Sequence, residues 1–106
     1  MNWNKTQLLA ILPQRMRSEE MEDVLEIRLR RGRPPRFVTP TGCRDGLGRV
    51  DERDLSFVIN AASRYSPWTA VSQQEGYLTA PGGHRIGICG DGLRDITSLC
   101  IRVARD

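Results

Sequence analysis

The sequence predicts an α+β domain, with short amino-terminal helices and a central helix packed on a mixed, largely antiparallel sheet that ends in a three-stranded meander. Three observations predict it. Ile27 and Leu29 alternate with Glu26, Arg28 and Arg30, the period-two pattern of a half-buried strand. Leu55, Val58, Ile59 and Ala62 recur at the three- and four-residue spacing of a helix with one apolar face. From Tyr77 onward, short runs of strand-forming residues are separated by Pro81-Gly82-Gly83 and Gly90-Asp91-Gly92, which are tight-turn signals. With 106 residues, the chain has the size of a single domain with one modest core. It divides into a helical lead-in, 1–23, and an α/β core, 24–106.

The elements follow in order. Thr6 can cap a short helix that places Leu8, Leu9, Ile11 and Leu12 on one side and ends near Pro13. A second helical stretch is expected over 14–23. The strand that begins at Val24 sends one face to the core and presents arginine on the other, until Gly32-Arg33-Pro34-Pro35 breaks it, because proline donates no ladder hydrogen bond. Phe37, Val38 and Thr39 form a short strand expected at a sheet edge. Residues 41–48 read as a turn that leads into a brief strand over 47–50. Asp51 is a helix N-cap and Asp54 can complete a capping box, which starts the central helix over 52–64. Ser66-Pro67 repeats the start signal and Gly76 the stop, so a short helix is expected over 68–75. In the meander, strands over 77–80, 84–89 and 96–103 follow. Arg85 faces opposite to Ile86 and Ile88, while Leu99, Ile101 and Val103 oppose Ser98, Cys100 and Arg102.

Charge is the compositional feature that stands out. Of 16 Lys and Arg residues only Lys5 is a lysine, leaving fifteen arginines against 13 acids and a net charge of +3. Codon bias in a GC-rich genome produces the same excess. An arginine fork can also grip phosphate or carboxylate bidentately, as lysine cannot, so placement matters more than the sum. Arg28, Arg30, Arg31, Arg33 and Arg36 form the densest cluster, a possible polyanion or interface surface, with Glu19, Glu20, Glu22, Asp23 and Glu26 close enough in sequence to neutralise it.

Several functions are excluded by the residues themselves. The longest apolar run, Leu8 to Leu12, is far below the roughly 20 residues that span a bilayer, and no cleavable leader pattern follows it, so a cytoplasmic chain is expected. Cys43, Cys89 and Cys100 are odd in number, show no C-x-x-C spacing and share the chain with one histidine. Neither a disulfide framework nor a metal site is expected, only buried reduced thiols. No G-x-x-x-x-G-K-[ST] is present, and His84 has no serine or cysteine in an elbow context. No catalytic residue is therefore assigned. Gly87-Ile88-Cys89-Gly90 fits the G-x-x-G of a nucleic-acid-binding loop only formally, because its middle residues are apolar and lie in a strand pattern.

Four segments carry a family resemblance. Glu26-Ile27-Arg28-Leu29-Arg30-x-Gly32-Arg33-Pro34, Ser63-x-Tyr65-Ser66, the run from Gly76 to Gly90 containing Pro81-Gly82-Gly83-His84-Arg85-Ile86-Gly87, and Ile96 to Arg105 with Ser98-Leu99-Cys100-Ile101-Arg102-Val103-Ala104-Arg105 resemble the amino-terminal region of the stage III sporulation protein AA family. That family is similar to the secretion-type and pilus-retraction ATPases, in which an amino-terminal α/β domain precedes a RecA-like motor. The resemblance covers residues 24 to the end, with a tighter link over 90–95 than is usual. It implies a non-catalytic first domain that serves hexamer assembly and nucleotide-dependent control of a motor for a mother cell–forespore channel. The motor would lie beyond Asp106, and ATP and Mg would be cofactors of the full-length ATPase and not of these residues. Arg85 and Arg102 would reach nucleotide held by a motor domain. The implied partners are that motor domain, other subunits of a homo-oligomeric ring and membrane proteins of the sporulation channel. The implied location is the inner face of the mother-cell membrane facing the forespore. Nucleic acid is not an expected partner on this reading. The competing reading is a stand-alone nucleic-acid-binding module that uses the basic strand from Arg28 to Arg36.

Overall fold

A computed structural model describes residues 5–17, 20–63, 77–90 and 96–105. Helix α1 spans Lys5–Ala10 and is followed by a single 3-10 turn, Gln14–Met16; then come β1 (Glu26–Arg30), β2 (Arg36–Thr39), β3 (Gly42–Asp45), α2 (Glu52–Ala62), β4 (Tyr77–Thr79), β5 (Arg85–Gly90) and β6 (Ile96–Arg102). The strands form one six-stranded sheet in the order β3-β2-β1-β6-β5-β4. Every strand pair is antiparallel, and the one parallel contact is an isolated bridge between Arg31 and Val50. The α+β architecture and the closing meander β4-β5-β6 are as the alternation predicts. No described helix is long and apolar enough to cross a membrane.

Alternation decides the faces. Ile27, Leu29, Phe37, Leu78, Ile86, Leu99 and Ile101 are buried in one core with Leu8, Ile11 and Leu12 of the amino-terminal segment and Leu55, Val58, Ile59 and Ala62 of α2. Removing such side chains from water at about 25 cal/mol per Å² is the main stabilising contribution. The opposite face presents Arg28, Arg30, Arg36, Arg85 and Arg102, all exposed. The α2 capping box forms as the spacing predicts: the Asp51 carboxylate accepts from the Asp54 N–H at 2.9 Å, and the Asp54 carboxylate accepts from the Asp51 N–H at 2.9 Å.

Four expectations need correction. In the segment 14–23 the described residues form one 3-10 turn, Gln14–Met16, and no further helix; the buried apolar residues Met16 and Met21 are five apart, a spacing that gives no continuous helical stripe. Strand β2 is not at an edge but lies between β1 and β3. The third strand is Gly42–Asp45, inside the stretch read as a turn. Residues 47–50 form no strand: Leu47 is 86% exposed, and only Val50 makes a bridge, to Arg31. The helix expected over 68–75 lies outside the described residues, as does the link over 91–95.

Candidate functional site

Antiparallel register fixes which side chains share a row on the arginine-bearing face. Arg85 of β5 is the direct cross-strand partner of Arg102 of β6, and Arg102 is in turn opposite Glu26 of β1. In the next row, Gly87 pairs with Cys100, Cys100 with Arg28 and Arg28 with Arg36. Two guanidinium-bearing residues are thus held about 5 Å apart at Cα by the ladder. Like charges directly opposite repel, and Glu26 on the other side of Arg102 offsets part of that repulsion. Beside them Gly87 has no side chain, and the result is a shallow recess of about 170 Å³ lined by Arg85, Gly87, Cys100 and Arg102. The structure therefore brings together the two arginines that the resemblance singled out.

The buried side of the same strands holds that row in place. Pro81-Gly82-Gly83 turns with positive φ at both glycines, 90° and 86°, closed by the Gly83 N–H donating to Ala80 O at 3.0 Å. His84, fully buried, accepts the Ala104 N–H on Nδ1 at 3.0 Å, while its carbonyl accepts from the Ala80 N–H at 2.7 Å. The proton of a neutral ring therefore sits on Nε2. His84 ties the start of β5 to the chain just after β6, where Arg85 and Arg102 meet. This positioning role was invisible in the sequence, because a lone histidine beside a turn carries no partner within hydrogen-bonding range along the chain. Arg105 is a second such residue: its guanidinium donates to Met21 O at 2.9 Å and to Val24 O at 2.6 Å, fastening the segment after β6 to the entry of β1.

Glu26 is the acid beside the Arg85–Arg102 pair. It accepts from Arg28 Nε at 2.6 Å and from the Cys100 thiol. The Arg28 hydrogen bond holds its carboxyl below the usual carboxylate range against the opposing effect of burial, with help from Cys100 and from the charges of Arg28 and Arg102. Cys100 responds in the other direction: burial first, then the hydrogen bond to Glu26 and its negative charge, push the thiol up to about 11. The thiolate is the nucleophile, so Cys100 should react with iodoacetamide at pH 8 about a hundredfold more slowly than an ordinary peptide cysteine. Peptide-resolved mass spectrometry during a time course measures this, and reaction at the ordinary rate would contradict the arrangement. Of the thiols expected to be buried, Cys43 is exposed and Cys100 half-buried; Cys43 lies on edge strand β3 on the solvent side of the sheet. The side chain of Cys89 lies outside the described residues.

A second recess lies farther along the face, about 140 Å³ in volume and lined by Arg28, Arg30, Arg33, Pro34, Arg36 and Asp45. Four of the five arginines read as a polyanion or interface surface, Arg28, Arg30, Arg33 and Arg36, meet here. Arg31 does not: it turns away toward the first turn of α2, 3.8 Å from Glu52. The expected neutralisation by the upstream acids is mostly corrected. Glu22 pairs with Lys5 at 2.8 Å, Asp23 with Arg44 at 3.4 Å, and the Glu20 carbonyl also accepts from Arg44; Glu26 turns to the cluster, pairing with Arg28. Glu19 lies outside the described residues. Among the described residues no group of three His, Cys, Asp or Glu side chains could hold a metal ion.

No protein-family model matches the chain. Stage III sporulation protein AA from Bacillus subtilis (strain 168) is 28% identical over 124 residues, an alignment that takes in 93% of this chain and 38% of that protein. The X-ray structure of the Legionella pneumophila ATPase DotB superposes with a TM-score of 0.48 at 17% identity, over 78% of this chain and 25% of that one. The chain thus spans about 38% of the length of its sporulation relative. It is similar to stage III sporulation protein AA over nearly all of its own length, as its strand and turn motifs imply.

Proposed function

We propose that this chain is a non-catalytic domain of a sporulation secretion-type ATPase, contributing to hexamer assembly and placing Arg85 and Arg102 against nucleotide held by a motor domain. The observation that carries the reading is their cross-strand register at the rim of an exposed recess. Guanidiniums are planar, permanently charged and suited to bidentate contact with phosphate oxygens. Set on adjacent strands of a rigid sheet, they are preorganised for charge that develops on a phosphoryl group during transfer. ATP with Mg, bound by the motor, supplies that group. The chain's own residues hold the two forks in position: His84 and the Pro81-Gly82-Gly83 turn fix the start of β5, Glu26 balances Arg102 from the neighbouring strand, and Gly87 leaves room for an oxyanion. Closure of this domain over a motor makes the contact conditional, which is how nucleotide state would be coupled to ring movement.

On this reading the partners are the motor domain, other subunits of the same ring and membrane proteins of the mother cell–forespore channel, with the assembly at the inner face of the mother-cell membrane. The test is turnover. Purified residues 1–106 are expected to release no phosphate from Mg-ATP above a buffer control, whereas a protein that joins them to the proposed motor domain is expected to hydrolyse ATP. Hydrolysis by the isolated chain that co-purifies with it through successive columns would overturn the reading.

A further inference from the structure

The recess lined by Arg28, Arg30, Arg33, Pro34, Arg36 and Asp45 is built differently from a solvated charged face. Arg28 and Arg36 are direct cross-strand partners, and each is held by its own carboxylate, Glu26 at 2.6 Å and Asp45 at 3.0 Å. They form fixed walls. Arg30 and Arg33 are exposed and have no carboxylate within ion-pairing distance among the described residues. A tight turn brings these two together: the Arg33 N–H donates to Arg30 O at 3.0 Å, and Gly32 between them sits at φ +85°, the conformation that the third position of a type II turn reserves for glycine. Nothing lies within 4 Å of where a Gly32 Cβ would be, so its backbone conformation and not crowding calls for glycine.

The turn is also pinned from outside. The Gly32 N–H donates to Val50 O at 2.8 Å, the Val50 N–H to Arg33 O at 2.8 Å, the Arg31 N–H to Thr97 O at 2.9 Å, and Arg49 Nη1 to Gly32 O at 3.0 Å. The residues 47–50 expected as a strand serve instead as the strap that holds this turn. Fixing the backbone that carries Arg30 and Arg33 lowers the entropic cost of bringing both side chains to one ligand.

We infer that this recess is a binding site for a multiply charged phosphoryl group, a phosphate monoester or pyrophosphate. With Arg28 paired to Glu26 and Arg36 to Asp45, the charges of Arg30 and Arg33 leave the recess positive by about two. A lone carboxylate would leave part of that charge uncompensated, whereas a phosphoryl di- or trianion presents several acceptor oxygens to forks on different sides. The inference does not rest on Arg85 or Arg102, which lie on β5 and β6.

The probe is inorganic pyrophosphate titrated into 15N-labelled protein at low salt, followed by amide shifts. Saturable shifts at residues 28–36 and 45–50 are expected. Affinity read at these amides should fall at least about tenfold in Arg30→Gln/Arg33→Gln and stay within about twofold in Arg53→Gln, an exposed arginine of α2 that lines neither recess. Because the location of the shifts is read in the unmodified protein, the outcome does not depend on the variant folding. Vesicles of phosphatidylcholine with and without phosphatidic acid separate a lipid headgroup from a soluble source of the same group; capture by either source supports the site. Shifts that never saturate, that spread over all arginine-bearing strands, or that are displaced by a single-stranded oligonucleotide at far lower concentration than by pyrophosphate would overturn it.

Discussion

Replacing Arg15 by alanine is expected to destabilise the domain by about 2 kcal/mol and to flatten its loss of stability in acid. Arg15 grips Asp54 with both terminal nitrogens, Nη1 to Oδ1 at 2.6 Å and Nη2 to Oδ2 at 2.5 Å, and also donates to Arg49 O at 2.8 Å. Asp54 is only 5% exposed, and its carboxylate already serves the α2 capping box. Removing one partner of a fully buried pair costs about 3–5 kcal/mol. Arg15 is itself nearly half exposed, and water can reach the carboxylate once the side chain is gone, so the lower figure follows. Arg15→Lys should recover only part of it, because a lysine cannot form the fork.

The pH dependence has a definite sign. Burial opposes the charged form of Asp54, but the hydrogen bond from Arg15, helped by those from Asp51 and by the Arg15 charge, brings its carboxyl below the ordinary value. A carboxyl depressed in the folded state contributes its full stability above the unfolded value, about 3.9, and loses it as pH falls through the folded value. Urea unfolding at pH 7 and pH 3, with the Asp54→Asn cycle, measures both effects. A difference below about 0.5 kcal/mol at pH 7 would mean that the pair is an ordinary surface contact.

This pair shows what the sequence hides. Arg15 and Asp54 are 39 positions apart, and the Arg105 contact with Val24 spans 81; no local pattern announces either. What local pattern does announce came through. The alternation around Ile27 and Leu29 placed Arg28 and Arg30 outward, the Asp51–Asp54 spacing gave the capping box, and the faces of β6 were readable from Leu99, Ile101 and Val103 against Ser98, Cys100 and Arg102. Strand β3 was not legible, because Gly42-Cys43-Arg44-Asp45 has none of the β-branched or aromatic residues that favour strands, and forms one through its pairing with β2. Met16 and Met21 fill the core without helical spacing, which ended the second helix after one turn. At the site, Arg85 and Arg102 were nameable from motif and period, but their direct opposition is a matter of register, which depends on hydrogen bonding between strands. The role of His84 and the separation of Arg31 from the other arginines of its cluster are likewise properties of tertiary contacts.

Arg85 and Arg102 carry the proposed role most directly. Arg85 and Arg102 contribute little to the core, since both are exposed strand residues, and replacing either by glutamine keeps a strand-compatible side chain while removing the charge. Relief of the like-charge opposition should leave stability unchanged or slightly raised. On the proposed reading, the effect on catalysis should be large in a protein that joins this domain to a motor domain. A guanidinium that stabilises charge developing on a transferring phosphoryl group supplies about a hundredfold or more in rate, whereas one that merely sits on a sheet supplies none. The deciding measurement is steady-state ATP hydrolysis by the proposed domain–motor protein carrying Arg85→Gln or Arg102→Gln, alongside nucleotide affinity and thermal midpoint. The expected result is kcat lowered about a hundredfold with affinity and midpoint nearly unchanged; hydrolysis at the unmodified rate in both variants would contradict a phosphate-contacting role for the pair.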